Sequence, residues 1–162
     1  MRPENQYELT GPPRDCDRRI RSFYDYWLSI YPKAGLPGRQ HFDPMDIPGL
    51  LPNIWLLDIF RDPQSFRLRF RVRLTGTRIT EISGRDATGK WCHDIYDAFE
   101  ETDGFRCISA CAIKGRPQFR KGRVIANRDR VYIETERIYL PLASNGKDVD
   151  IMANMSMYLG RY

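Results

Sequence analysis

The residues with the clearest potential for chemistry lie in one glycine-rich loop. Gly84 to Lys90 spells Gly-Arg-Asp-Ala-Thr-Gly-Lys, which is most of a phosphate-binding loop. That loop requires Ser or Thr after the lysine to hold magnesium, and this chain has Trp91 there. A strand should also lead into it, whereas residues 77–83 have a helical pattern. We therefore predict a tight connection in which glycine supplies a positive φ, and not a nucleotide hydrolase.

The cysteines offer a second possible chemistry, metal binding. Cys107 and Cys111 lie one helical turn apart and could share a metal ion. No Cys-x-x-Cys or His-x-x-x-His pattern completes such a site, and a free cysteine is commonly a small core residue. With Cys16 and Cys92 the chain has four cysteines, too few and too scattered for a disulfide framework. We predict core thiols, no metal site and a cytoplasmic location.

Paired carboxylates are a third possibility, because Glu134 and Glu136 point the same way on a predicted strand and could do acid/base work. The neighbouring strand carries Arg120, Lys121 and Arg123, so cross-strand ion pairing is the simpler interpretation. The sequence contains no Gly-x-Ser-x-Gly, zinc-protease or dinucleotide-binding motif. We predict that the protein is not an enzyme and assign no catalytic residue.

Positive charge is concentrated in a basic stripe, Lys114 to Arg130, with seven basic residues and one acidic residue in a chain of net charge +5. Such a stripe can attract nucleotides or nucleic acids. The alternative is a strand at a sheet edge that is kept soluble by its charges. Phe119 is the single aromatic residue in the stripe that could stack on a base, which makes nucleic acid the less favoured partner.

The elements that position these residues begin with an amphipathic helix over Arg18 to Tyr31. Asp15 or Asp17 can cap it, and Pro32 ends it. Its apolar stripe consists of Ile20, Phe23, Tyr24, Trp27, Leu28 and Tyr31. We predict a flexible tail over residues 1–17 and one domain over residues 18–162. No apolar run is long enough for a membrane span, and the polar start of the sequence leads us to expect no signal peptide.

Strand patterns follow the helix. A short helix should start at Asp43-Pro44, and Ile54 to Phe60 is apolar enough for a strand that is covered on both faces. From Phe66 to Leu74, apolar residues alternate with Arg67, Arg69, Arg71 and Arg73, which indicates one core face and one charged face. Short helices should form over 76–83 and 93–113. The last three strands should cover 118–125, 131–140 and 149–157, with a hairpin turn at Asn145-Gly146.

Several motifs resemble a group of bacterial PAS-like domains. The pattern Asp-Pro-x-Asp-x-Pro-x-Leu-Leu-Pro-Asn is present at 43–53, just before the first strand. Phe-Arg-x-x-Leu-x-Gly-Thr follows at 70–77, Asp-x-Thr-Gly at 86–89 and Leu-Pro-Leu at 140–142. The resemblance covers residues 18–158, nearly the whole chain.

This resemblance implies an α+β, PAS-like fold: a five-stranded antiparallel sheet with short helices on one face and an N-terminal amphipathic helix. It also implies a stand-alone sensory domain that binds a small ligand in its core and relays to a protein partner. The cofactor stays open. Haem could bind through His93, but an exposed or hydrogen-bonded histidine beside Asp94 is the simpler interpretation. The flavin photoadduct branch requires Asn-Cys-Arg-Phe-Leu, and the sequence Trp-Cys-His-Asp at 91–94 excludes it.

The expected pocket lies between the short helices and the sheet, where Phe70, Val72, Ile151, Ala153 and Met155 should face inward. Predicted ligand-binding residues are Phe70, Val72, Trp91, Tyr96, Phe99, Ile108, Met155 and Met157. Alternatively, these side chains interlock into a dry core, and the protein is a ligand-free interaction module. The N-terminal helix should pack partly on the sheet and partly on a homodimer or signalling partner. Its predicted partner-binding residues are Phe23, Tyr24, Trp27 and Tyr31.

Overall fold

The computed structural model describes residues 11–126 and 131–160, which contain a five-stranded antiparallel sheet in the order β2-β1-β5-β4-β3. The strands are β1 (Ile54–Arg61), β2 (Leu68–Thr75), β3 (Gln118–Ala126), β4 (Val131–Leu142) and β5 (Ile151–Leu159). The α-helices are α1 (Arg18–Ser29), α2 (Thr77–Ser83), α3 (Cys92–Ile95) and α4 (Asp103–Lys114). Single 3-10 segments cover Arg39–His41, Pro44–Asp46, Pro48–Asn53 and Phe99–Glu101. The predicted fold class and order of elements are confirmed.

Helix α1 covers one face of the sheet, which we call the outer face. The helix begins after Asp17, whose carboxylate accepts a hydrogen bond of 2.8 Å from the Arg19 N–H. Four residues of its stripe, Ile20, Phe23, Tyr24 and Trp27, are buried against outer-face side chains of β1, β4 and β5. The Trp27 indole N–H also donates to the Pro141 carbonyl at 3.0 Å. The prediction that this helix packs on the sheet is confirmed.

The burial of α1 corrects the predicted partner surface. Phe23, Tyr24 and Trp27 are no more than 8% exposed, because the sheet of the same chain already covers them. Tyr31 is 41% exposed and packs edge-to-face on Trp27, and Leu28 beside it is 45% exposed. The exposed apolar part of this region is therefore limited to Leu28 and Tyr31.

The opposite face, which we call the inner face, lies under α3 and α4. Apolar side chains from both layers fill one half of it. They include Leu57, Phe70, Val72, Met152, Ile108, Cys111 and Ala112. Strand β1 is buried on both faces, as predicted, because Ile54 and Leu56 contact the α1 side while Leu57 and Ile59 contact the α4 side.

The predicted orientation of β5 is wrong. Ile151, Ala153 and Met155 face α1, together with Met157, and not the short helices. The reason is the position of β5 at the centre of a sheet that is covered on both faces. Its alternation therefore does not separate core from solvent. It separates an apolar outer face from an inner face that carries the buried polar residues Asn154 and Ser156.

Strand β2 matches its predicted alternation except at its ends. Phe66 is 82% exposed in a turn with φ of 57°, and Leu74 is 47% exposed beyond a register shift in the pairing with β1. The arginines stay out of the core. Arg71 and Arg73 both pair with Asp58 of β1, at 3.3 and 3.0 Å, so one carboxylate compensates part of this charged face.

The described part of the predicted tail, residues 11–17, lies against α1. The Arg21 guanidinium donates to the carbonyls of Pro12 and Pro13 at 2.7 and 2.8 Å. The connection expected near Asn127 and the basic residues Arg128 and Arg130 fall outside the described residues. Over 11–126 and 131–160, no helix has the length and apolar character that crossing a bilayer requires.

Candidate functional site

The glycine-rich loop is a structural connection. Helix α2, and not a strand, leads into it. Gly84 ends that helix with φ of 72°, and Gly89 has φ of 82°. The Gly89 N–H donates to the Val72 carbonyl at 2.7 Å, and the Val72 N–H donates to the Lys90 carbonyl at 2.9 Å. The loop therefore covers the edge of β2, and the prediction of a tight connection is confirmed.

A group of polar side chains occupies the other half of the inner face. Strand register places Tyr139 of β4 opposite Asn154 of β5, Arg137 opposite Ser156, and Thr135 opposite Tyr158. Alternation along each strand puts these residues on the face that carries Met152, away from α1. We call Arg137, Tyr139, Asn154, Ser156 and Tyr158 the polar inner patch.

Hydrogen bonding in the polar inner patch is incomplete. The Ser156 hydroxyl accepts a bond of 2.9 Å from the Trp55 indole N–H. The Asn154 Oδ1 atom is buried and has no partner among the described residues. The buried Tyr139 hydroxyl and Arg137 Nε atom also lack a hydrogen bond of good geometry within the described residues, although the Tyr139 phenol lies close enough to the guanidinium to raise the pKa of Arg137. Tyr139 and Asn154 are 1% and 0% exposed. Because more than nine in ten buried polar groups in folded proteins are bonded, three orphans on neighbouring positions call for an explanation.

Arg137 gives the patch a positive charge. Burial lowers the pKa of its guanidinium, but the phenol oxygens of Tyr139, Tyr158 and Tyr96 raise it, and the net direction is upward. Arginine therefore stays charged at any physiological pH. Burial in turn raises the pKa of Tyr158, so its phenol is a neutral hydroxyl group near neutral pH.

One end of the polar inner patch is buried, and the other end is accessible to solvent. Asn154 and Tyr139 are fully buried, whereas Arg137 and Tyr158 keep part of their surface in contact with solvent. The Tyr96 ring is 50% exposed and stacks on Phe99 at 5.9 Å. A small molecule could therefore approach Arg137 from the side of Tyr96.

The nearby thiols are poor nucleophiles. Burial raises the pKa of Cys92 to about 12 and that of Cys111 well above its ordinary value. It also raises the pKa of Cys107, although Arg120 and Arg137 act in the opposite direction. Thiols that stay protonated at neutral pH neither attack a substrate nor bind a metal readily. The arrangement is therefore suited to binding through hydrogen bonds and charge.

The predicted ligand-binding residues do not line one common pocket in the structure. Phe70, Val72 and Ile108 are buried in the apolar half of the inner face, and Phe99 packs edge-to-face on Phe70 at 6.4 Å. Tyr96 lies at the accessible end of the polar inner patch, as described above.

Three other predicted residues lie outside this interior and correct our expectation. Met155 and Met157 are on the outer face, because the odd positions of β5 point to α1. Trp91 bridges to the edge of β2, where the Arg69 guanidinium covers its ring at 4.2 Å. Trp91 also contacts Phe60 at 5.1 Å between ring centroids, and so it belongs to the charged surface of β1 and β2.

Sequence reasoning missed all five residues of the polar inner patch: Arg137, Tyr139, Asn154, Ser156 and Tyr158. With Ile151, Ala153 and Met155 expected to face inward, the alternation of β5 predicts Asn154 and Ser156 on its solvent side, because polar residues in an alternating strand usually face water. One clue was available. A strand in the middle of a sheet that is covered on both faces has no solvent side, so its polar positions must be buried.

The remaining candidates have structural partners. His93 lies on the outside, 3.3 Å from the Asp94 carboxylate and stacked on Trp91, which agrees with the simpler interpretation of this residue. The predicted cross-strand ion pairs are confirmed, at 3.3 Å for Lys121 with Glu136 and 3.8 Å for Arg123 with Glu134. These pairs compensate part of the basic stripe.

Two open cavities lie elsewhere on the described part of the chain. The larger, about 570 Å³, is between the end of α4 and the turn from β4 to β5, and Lys114 and Lys147 line it. The smaller, about 290 Å³, is bordered by Arg19, Asn53, Arg78 and Tyr158. Both are open to solvent, and neither contains the unpartnered buried atoms that distinguish the polar inner patch.

Comparison with protein families decides the classification. A sequence profile for the PAS_5 family, described as a PAS domain, matches residues 17–155. The chain belongs to this PAS family. PAS domains are typically non-catalytic, which agrees with a site built for binding. No functionally curated protein matches the sequence at a significant level.

Solved structures resemble this PAS domain in fold. The LOV protein of Rhodobacter sphaeroides is 13% identical, with a TM-score of 0.52 over 87% of this chain and 69% of that chain. The light state of the blue-light photoreceptor Aureochrome1 LOV is 12% identical, with a TM-score of 0.50 over 72% of this chain and 88% of that chain. At such identities the similarity shows the fold alone.

Proposed function

We propose that this PAS domain is a sensory domain that binds a small molecule at the polar inner patch and relays its occupancy to a protein partner. The observation that carries the proposal is the set of unpartnered buried atoms on Arg137, Tyr139 and Asn154. Each such atom costs about 1–3 kcal/mol of folding free energy. A ligand that bonds to them would recover this cost, which is why such groups are concentrated at binding sites.

A contiguous set of contacts supports a relay from the patch to α1. Glu136 precedes Arg137 in β4, and its side chain lies on the outer face. The Glu136 carboxylate is 3.3 Å from the Lys121 ammonium and accepts a hydrogen bond of 2.7 Å from the Asp17 N–H, at the start of α1. A shift of β4 on ligand binding would therefore act directly on the first turn of α1.

A ligand-free interaction module is the second candidate, and the apolar half of the inner face favours it. Leu57, Cys111 and Met152 are fully buried there, as expected of a close-packed core. Nucleotide or nucleic-acid binding has weaker support, because Glu134 and Glu136 already pair with cations of the basic stripe.

A thermal-shift screen of the purified protein against a broad metabolite collection separates these candidates. We expect at least one compound to raise the melting temperature, because a ligand that binds only the folded state stabilises it. The Asn154→Leu variant should lose that shift. The matched control is Met155→Leu, a volume-conserving change at the next residue on the opposite face, which should keep it.

Two outcomes would contradict the proposal. If no metabolite raises the melting temperature and no small molecule copurifies, the interaction module replaces the sensory domain. If Asn154→Leu and Met155→Leu respond equally to an active compound, that compound binds elsewhere.

A further inference from the structure

The polar inner patch contains more positive charge than its surroundings compensate. On the assumption that the proposed function holds, we infer that its ligand is a small carboxylic acid whose carboxylate pairs with Arg137. We also infer that this ligand carries a hydroxyl or N–H donor for the Asn154 Oδ1 atom.

The first argument is charge. Arg137 of β4 is directly opposite Arg120 of β3, so two guanidinium groups share one face of the sheet. Like charges in opposite cross-strand positions repel each other. The ion pairs among the described residues include neither of them, whereas Arg71 and Arg73 of β2 both pair with Asp58. An anion that enters between the inner face and α4 would compensate both charges.

The second argument is geometry. The buried Nε atom of Arg137 has no partner. A guanidinium presents Nε and one terminal nitrogen as a planar pair of donors that matches the two oxygens of a carboxylate. The Tyr139 hydroxyl lies two residues further along β4 on the same face and can donate a third hydrogen bond to the same anion.

The third argument concerns the rest of the ligand. Asn154 Oδ1 is an acceptor, so it requires a hydroxyl or amino group and not a second anion. Aromatic rings surround the patch: Trp55 packs edge-to-face on Tyr139 at 6.1 Å, and Tyr96 stacks on Phe99 at 5.9 Å. Rings of this kind favour a planar, partly apolar molecule. A hydroxylated aromatic acid has all these features.

The test uses matched probes in calorimetric titrations of the full chain. Benzoate, 4-hydroxybenzoate and 4-hydroxyphenylacetate are compared with their primary amides, which have nearly the same shape but no charge. Phenyl phosphate tests the other common oxyanion. We expect at least one carboxylate to bind about tenfold or more tightly than its amide, the difference typical of one charge-assisted hydrogen bond.

Variants assign the effect to Arg137. Arg137→Met should remove the preference for the carboxylate, so that carboxylate and amide bind equally, and Arg137→Lys should retain part of it. Arg69→Met is the control, because Arg69 lies over Trp91 at the edge of β2, outside the interior. In the absence of ligand, Arg137→Met should melt at a temperature at least as high as the wild type, because it removes an uncompensated charge.

Several results would overturn the inference. In the wild type, these are equal binding of carboxylates and amides, or tighter binding of phenyl phosphate than of every carboxylate. In the variants, they are a carboxylate preference that survives in Arg137→Met, or a carboxylate preference that is lost equally in Arg69→Met. Absence of binding by all three carboxylates would also overturn it. If a neutral metabolite then binds at the patch in the thermal-shift screen, the proposed function stands and only the carboxylate is wrong. If Arg137→Met does not fold, the inference is tested by the affinities of carboxylate and amide for the wild type and for Arg137→Lys.

Discussion

Replacement of Asn154 by leucine should stabilise the ligand-free protein. Asn154 is 0% exposed in the central strand, and its Oδ1 atom has no partner among the described residues. Its side-chain nitrogen makes one hydrogen bond, to the Met152 carbonyl, at a long 3.4 Å. Leucine has a similar volume and brings no polar group into this interior.

The magnitude follows from these contacts. Removal of an unpartnered buried oxygen recovers about 1–3 kcal/mol. The bond to Met152 is longer than the usual N–H···O distance of about 2.9–3.0 Å, so it is weak. Its loss destabilises the variant by roughly 0.5 kcal/mol, which offsets part of that gain. The net stabilisation is on the order of 1 kcal/mol, which for a chain of this size raises the melting temperature by about 2–4 °C.

Ser156→Ala is the matched comparison, because Ser156 lies two residues along the same strand and is equally buried. Its hydroxyl accepts the Trp55 indole N–H at 2.9 Å. The alanine variant leaves that donor without a partner, so it should lose about 1 kcal/mol. Two neighbouring polar-to-apolar changes should therefore have opposite signs.

Urea denaturation followed by circular dichroism measures both variants, with an unchanged slope as the criterion for comparison. If Asn154→Leu destabilises the protein as much as Ser156→Ala does, the Asn154 oxygen is satisfied without a ligand. The reasoning that identifies the polar inner patch would then fail.

Three further predictions concern the rest of the molecule. Trp27→Ala should lower the free energy of unfolding by about 3–5 kcal/mol, because it opens a cavity under α1. Leu28→Ala, at a position that is 45% exposed, should change it by no more than about 0.5 kcal/mol. Equal effects of the two variants in denaturation would contradict the packing of α1. Cys92 and Cys111 should resist iodoacetamide at pH 8 in the native protein and react after unfolding, because burial raises the pKa of both thiols; rapid native alkylation, read by mass spectrometry, would refute this. The chain should form a homodimer through the exposed part of α1, and light scattering that gives a monomer at about 50 μM, a level at which interfaces of ordinary size are occupied, would exclude it.

The secondary structure could be predicted from the sequence where the spacing of apolar residues fits only one kind of element. The stripe from Ile20 to Trp27 specifies a helix with one buried face, and the alternating arginines of β2 specify its exposed side. Phe66 was assigned to the core because it continues the alternation, but the chain turns at this residue and leaves it exposed. Local periodicity carries no information on where a turn interrupts it.

The site was harder to predict than the fold. Arg137 and Asn154 become neighbours only through the register of β4 with β5, which depends on the turn between them. That turn extends over residues 143–150, longer than the two-residue hairpin that Asn145-Gly146 suggested, so the register could not be deduced from turn type. Without register, a buried polar position of β5 cannot be distinguished from an exposed one.

A crystal structure with the strongest compound from the thermal-shift screen tests the central claim most directly. We predict that the compound lies between α4 and the inner face of the sheet. Its polar atoms should be within about 2.7–3.2 Å of the Tyr139 hydroxyl and the Asn154 side chain. A compound seated in the cavity beside Lys114 and Lys147, or on any surface outside the inner face, would contradict the assignment of the polar inner patch as the ligand site.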